Sequence, residues 1–429
     1  MNQRPQILFQ KLTYEGTFFV VLLVLSRLFL LFSIGYFFNG KNFSSDTKML
    51  ISLANEPMGI LLGTSIHGQH PPLLGLFLSI FYIPIKLFFS DFYAFRLTLI
   101  IYEALSLFFL WKALLIVFQS VKNRIKIIMG FIFFPAGWIT TVFMPQDEIV
   151  AMFYISVVLW LLFSNRYLWA ILICSLGVVG AKIFLIIPLA GLILTIQERK
   201  LLTKILIGAM PIVIVYTVML LLSINQDSAT VMSFAPKAMF GINLWVLIFE
   251  TFNLTSTDCR NYSSILALIG GLIPAIFLWI RFKAITKEEY FNNHDNSRAT
   301  IMITMMSAML LLVFSLFYHI NPEYYTMILP LLLLSFKSGY LFYGIGIMVS
   351  AAWATNFFYG VNFAISTGIQ NSSKSFFVKA YDAIFPFEPS FWHHFSLITC
   401  SLITIYYSYY AIMMIIDYTK KTPGPAADF

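Results

Sequence analysis

Apolar runs of about twenty residues recur along the chain, and most of the charges fall between them. Residues 17–38 and 299–318 are of this kind. As helices, such runs match the hydrocarbon core of a bilayer, roughly 30 Å thick. Only 11% of the 429 residues are charged, where a soluble domain carries roughly 25%. So few charges cannot cover a water-facing surface. The sequence therefore reads as an all-α polytopic membrane protein, with 1–429 as a single integral membrane domain. A transmembrane barrel would require strands that alternate polar and apolar residues, and the long runs argue against it.

The net charge of +8 is spread as single basic residues between apolar runs. That is the positive-inside pattern of membrane proteins and gives no footing for a nucleic-acid partner. Cys174, Cys259 and Cys400 are far apart and form neither a disulfide framework nor a zinc pattern. Segment 17–38 is too long for a cleavable signal and reads as the first span.

Basic residues set the expected topology. Arg4 and Lys11 place 1–16 in the cytoplasm, so the loop 39–72 lies outside. Residues 47–62 suit an amphipathic helix on the membrane surface. The stretch 73–89 is long enough for a short span, but the basic loop 120–126 must be cytoplasmic and only the run 93–119 stands between them. Segment 73–89 is therefore expected to be juxtamembrane or re-entrant, which makes 39–92 one outside segment with juxtamembrane helices. Spans follow at 126–143 and 147–164, then a hairpin over 167–197 broken by Gly177 and Gly180. Further spans fall at 203–224, 262–282, 299–318, 323–337, 339–358 and 395–416, for about twelve crossings. Further outside loops lie at 225–261 and 359–394, and 418–429 is a cytoplasmic tail.

This topology gathers Asp46, His67, His70, Gln146, Asp147, Glu148, His319 and Glu323 on one face. Each has two readings. Asp46 is placed to act as a general base at the interface, or caps a helix starting at 45–47. His67 and His70 precede Pro71-Pro72, a step that opens a helix, and either meet an anion there or sit in an interfacial turn. Asp147 and Glu148 face water or a cavity, or simply favour a helix N-terminus. Lys182, in an apolar stretch, marks function or snorkels. Arg96 has a similar choice, function or interfacial anchor. His319, Glu323, Tyr324 and Tyr325 either hydrogen-bond and stack on a sugar or belong to an aromatic belt.

Five stretches, in order, resemble the GT-C superfamily of membrane glycosyltransferases. S-S-D-T-K-M-L-I-S-L-A is similar to the family's first outside loop, and H-G-Q-H-P-P-L-L to the H-P-P-L step of protein O-mannosyltransferases and lipid A aminoarabinose transferases. P-Q-D-E-I-V-A-M-F, G-A-K-I-F-L-I-I-P-L and H-I-N-P-E-Y-Y-T-M-I-L-P resemble elements of the polyprenol-dependent mannosyltransferase branch. The chain departs from that pattern in having one Asp where the loop has an Asp-Asp or Asp-Glu pair, and no Gly before Gln146. The resemblance implies a GT-C fold in the plasma membrane with an extracytoplasmic site. It implies transfer of a hexose, mannose first among them, from a polyprenyl-phosphate donor to a glycan, lipid or protein acceptor, without cofactor or metal. Asp46 would be the catalytic base, with Glu56 a weaker substitute. His67, His70, Lys182 and Arg96 would take the donor phosphate. Gln146, Asp147, Glu148, His319, Glu323 and Tyr324 would hold substrate. The rival expectation is a transporter or flippase of a lipid-linked saccharide, but no paired discontinuous helices are visible in the two halves.

Overall fold

A computed structural model describes residues 4–37, 45–62, 70–118, 120–143, 145–195, 200–223, 295–316 and 324–335, with isolated helical positions between 248 and 276 and between 398 and 413. Among the described residues the chain is helical and has no strand. Helix α1 (Arg4–Phe37) leads to α2 (Ser45–Asn55), α3 (Leu74–Lys86), α4 (Asp91–Val117), α5 (Val121–Phe133), α6 (Pro135–Trp138) and a π-turn (Ile139–Phe143). Then come α7 (Glu148–Phe163), α8 (Tyr167–Gly180), a 3₁₀ turn (Ile183–Leu185), α9 (Ile186–Thr195) and α10 (Leu201–Ser223). The remaining described helices are α11 (Asp295–Leu316), α12 (Tyr324–Met327) and α13 (Leu329–Ser335). Three helical stretches, Glu15–Ser33, Asp91–Val117 and Leu201–Leu222, are long and apolar enough to cross a bilayer.

Helix α7 sits at the centre. Of its residues only Phe153 and Trp160 are not buried, and it packs on α4, α8, α12 and α13. A helix that is apolar on every side belongs inside a bundle or in lipid. Helix α10 leaves Leu202, Leu206, Val213 and Leu221 exposed.

The helices break where the backbone chemistry requires it. The span expected at 126–143 is divided at Phe134-Pro135: proline lacks an N–H, and it drives Phe134 into extended backbone, ψ 118. Helix α7 ends in a Schellman motif, with Asn165 left-handed at φ 56. The Asn165 N–H donates to the Leu162 carbonyl and the Arg166 N–H to that of Leu161. The expected hairpin at 167–197 breaks at Ala181-Lys182, while Gly177 stays helical.

Helix α3 has 13 residues, about 20 Å, short of the roughly 30 Å hydrocarbon core. Leu74, Leu78 and Tyr82 are buried, while Leu76, Ile80 and Ile83 are exposed. Helix α2 lies against α3 because Gly75 has no side chain: a Cβ there would stand 2.7 Å from the Leu53 carbonyl oxygen. At the far end of α3, Tyr82 donates to Asp91 at 2.6 Å and Lys86 to the Asn55 side chain at 2.8 Å. Lys86 also pairs with Asp91 at 3.1 Å, and this hydrogen bond raises the Lys86 ammonium above its ordinary value.

Inside the bundle, Arg27 of α1 grips Glu103 of α4 through two nitrogens, Nη2 to Oε1 at 2.6 Å and Nε to Oε2 at 2.9 Å. Arg27 Nη2 also donates to the Ile132 carbonyl at 3.0 Å. Two charges, at 2% and 0% exposure, thus neutralise each other and staple α1, α4 and α5 together.

Candidate functional site

The site forms where three chain breaks meet. The first is the His70-Pro71-Pro72 step ahead of α3, whose Leu73 N–H donates to the Val179 carbonyl in the last turn of α8 at 2.9 Å. The second is that end of α8. There Gly180 lies so close to the Phe77 ring that any side chain would collide. A Cβ on Gly177 would stand 2.6 Å from Leu185 and 3.1 Å from Tyr154. The small residues let α3 and α7 close on α8. Past the break, Lys182 is extended, φ −144 and ψ 132, so its side chain leaves the helix path. The third break is the turn Pro145-Gln146-Asp147 that opens α7.

Lys182 bridges two neighbouring carboxylates. Its Nζ is 2.9 Å from Asp147 Oδ1 and 2.8 Å from Glu148 Oε1. His70 Nδ1 stands 3.7 Å from Asp147 Oδ2, within ion-pair range but too long for a hydrogen bond. The Tyr324 ring lies 5.0 Å from the Lys182 Nζ and packs on Phe184 and Phe314. Both carboxylates are at most 2% exposed, and Asp147 Oδ2 and Glu148 Oε2 have no hydrogen-bond partner among the described residues. Their place at the N-terminal end of α7 favours negative charge. The Lys182 ammonium and His70 both stand beside the Asp147 carboxylate.

The arrangement has a chemical consequence. Two carboxylates against one ammonium leave an excess negative charge unless His70 carries a proton. Lys182 is therefore committed to carboxylates, and Asp147 Oδ2 and Glu148 Oε2, which have no hydrogen-bond donor among the described residues, suit donors such as hydroxyls. No group of three potential metal ligands stands together among the described residues.

The other residues singled out in the sequence are placed as follows. Asp46 is the second residue of α2, which packs on α3. Gln146 is buried, and its N–H donates to the Thr140 carbonyl at 2.9 Å. Arg96 is fully buried in α4 and donates to the Val142 and Phe92 carbonyls, its guanidinium 3.9 Å over the Phe92 ring. Those contacts belong to the packing of α4 on the π-turn and not to the Lys182 cluster. His67, His319 and Glu323 lie outside the described residues. Glu103 and Thr141 were not singled out. A glutamate in the middle of an apolar run was the available signal.

No protein-family model matches the chain, and no curated protein matches its sequence.

Proposed function

We propose that the chain is a membrane glycosyltransferase of the GT-C kind, with about twelve crossings and its site on the extracytoplasmic face. It moves a hexose, mannose in the first instance, from a polyprenyl-phosphate donor to an acceptor hydroxyl with inversion. The observation that carries this reading is that Asp147 Oδ2 and Glu148 Oε2 are buried with no hydrogen-bond donor among the described residues, the first with His70 Nδ1 at 3.7 Å. A buried acceptor without a donor is costly, and sugar hydroxyls supply donors. The Tyr324 ring beside Lys182 offers an aromatic wall for the same sugar.

In this scheme Asp46 removes the proton from the acceptor hydroxyl as its oxygen attacks the anomeric carbon. The bond from that carbon to the phosphate oxygen breaks, and the electron pair leaves with the lipid phosphate. With Lys182 committed to two carboxylates, the phosphate falls to His67 and His70. Helix α2, which carries Asp46, rests on α3, at whose start His70 lies, and this supports a shared site.

The test is transfer of labelled hexose from a polyprenyl-phosphate donor by the purified protein in detergent. Asp46→Asn is expected to abolish transfer while keeping donor binding. Turnover at the wild-type rate in that variant would remove Asp46 as base, and silence of the wild type with every donor sugar would remove the reading.

The rival is a carrier of lipid-linked saccharides, and buried charge in several helices favours it: Arg27, Arg96 and Glu103 are each at most 2% exposed. Arg27 and Glu103 hold each other, and Arg96 holds backbone carbonyls. Charges so engaged suit a scaffold better than a transport path. In reconstituted vesicles, donor that crosses the bilayer unconsumed would select the carrier.

A further inference from the structure

The π-turn touches the Arg27–Glu103 group directly and hydrogen-bonds Gln146, the residue before Asp147. On one side, the Thr141 hydroxyl is 2.9 Å from Glu103 Oε2 and 2.6 Å from the Gly137 carbonyl, which share its one proton. Gly137 gives the ion pair room, since a Cβ there would stand 3.0 Å from Glu103 Oε1. The next carbonyl, that of Val142, accepts from Arg96 Nε at 2.7 Å. The Val142 side chain is buried with Leu31, Phe92 and Ile100. On the other side, the Thr140 carbonyl accepts the Gln146 N–H, and Asp147 follows directly. Thr140, Thr141 and Val142 are fully buried. A π-turn is a wide, poorly stabilised helix form, found mostly where side chains hold it for a purpose. Here two anchors hold it, Glu103 through a hydroxyl and Arg96 through a carbonyl.

We propose that Thr141, set by the Arg27–Glu103 pair, and Arg96 are positioning residues that hold the π-turn so that Asp147 and Glu148 meet Lys182. Neither touches the cluster. They act through the Thr140 carbonyl, which accepts the Gln146 N–H. Without them the turn relaxes to ordinary helix, which has one residue fewer per hydrogen-bonded loop and rotates the Gln146-Asp147-Glu148 turn away from Lys182.

The test is a double-mutant cycle on apparent Tm in detergent, with Thr141→Val and Asp147→Asn. The two side chains are not in contact, so independent effects would add. The proposal expects the double variant to lose clearly less than the sum of the single losses, because Thr141→Val has already parted Asp147 from Lys182. Thr141→Ser keeps the hydroxyl and is expected to behave as wild type. Thr141→Val combined with Lys86→Met, at the far end of α3, is expected to be additive. Additive losses for Thr141→Val with Asp147→Asn overturn the proposal, as does a Thr141→Ser variant that behaves like valine or a non-additive Lys86 control. Should Thr141→Val not fold, Arg96→Lys, which keeps the charge but loses the planar fork, takes its place in the cycle under the same criteria.

A kinetic arm rests on the transferase reading. There Thr141→Val is expected to raise KM for the donor about tenfold, a coupling within the usual range for linked sites, and Thr141→Ser to leave it unchanged. An unchanged KM in an active Thr141→Val enzyme overturns the positioning role. A wild type without transfer counts against the function alone, since the thermal cycle is read without any substrate.

Discussion

Two buried ionic groups among the described residues are built on opposite principles. At Arg27–Glu103 the charges are equal and every carboxylate oxygen has a donor: two guanidinium nitrogens and the Thr141 hydroxyl. At Lys182 one ammonium serves two carboxylates, and one oxygen of each has no hydrogen-bond donor among the described residues. The closed group gains nothing from a ligand. The open group is stabilised by anything that brings hydrogen-bond donors. On the proposed function, the group whose hydrogen bonds are complete serves as scaffold and the incomplete one as the binding site.

Breaking the closed group should cost most. Arg27→Met leaves Glu103 buried without its counter-charge, and a loss of about 3–5 kcal/mol is expected in unfolding measured in detergent. Arg27→Met with Glu103→Leu should regain most of it, because no uncompensated charge remains. A single variant as stable as wild type would mean that the pair is not the staple its geometry indicates.

Lys182→Met comes next, at about 3 kcal/mol, since two carboxylates then share a buried space without a cation. Adding Glu148→Gln should recover part of this. If the second change makes matters worse, the excess negative charge is not what strains the open group.

Asp147→Asn should cost less, about 1–2 kcal/mol at neutral pH, because the amide still reaches Lys182 with its oxygen. A loss in unfolding as large as that of Lys182→Met would mean that the amide does not take the carboxylate's place at Lys182.

The smallest effect belongs to the exposed corner. Lys86 and Asp91 are 41% and 44% exposed, and water screens such a pair to about 0.5 kcal/mol. Lys86→Met should be nearly silent in unfolding. A loss as large as that of Lys182→Met would erase the distinction between buried and exposed charge drawn above.

Much of the helical order was legible along the chain. The runs that form α1, α4 and α10 announce themselves by length and hydropathy, and the Pro71-Pro72 step marks a break by its own backbone chemistry. His70, Asp147, Glu148 and Lys182 stood out as polar groups in apolar surroundings. Glu103 stood in equally apolar surroundings, yet its partner lies 76 positions away, and no local pattern links them. The break at Phe134-Pro135 was hidden because the run 126–143 is apolar on both sides of it, and hydropathy does not register a lost N–H.

The sequence by itself determined that this chain is helical, where it is apolar enough to meet a bilayer, and which polar residues interrupt that pattern. Those properties follow from transfer energies and backbone hydrogen bonding, which act locally. Only the tertiary structure decided which charges meet. Pairing depends on helix packing, on glycines such as Gly75, Gly177 and Gly180 that let backbones approach, and on a π-turn held between two anchors. A buried carboxylate is structural when its neighbours complete its hydrogen bonds and available to a ligand when they do not, and that difference is set in three dimensions.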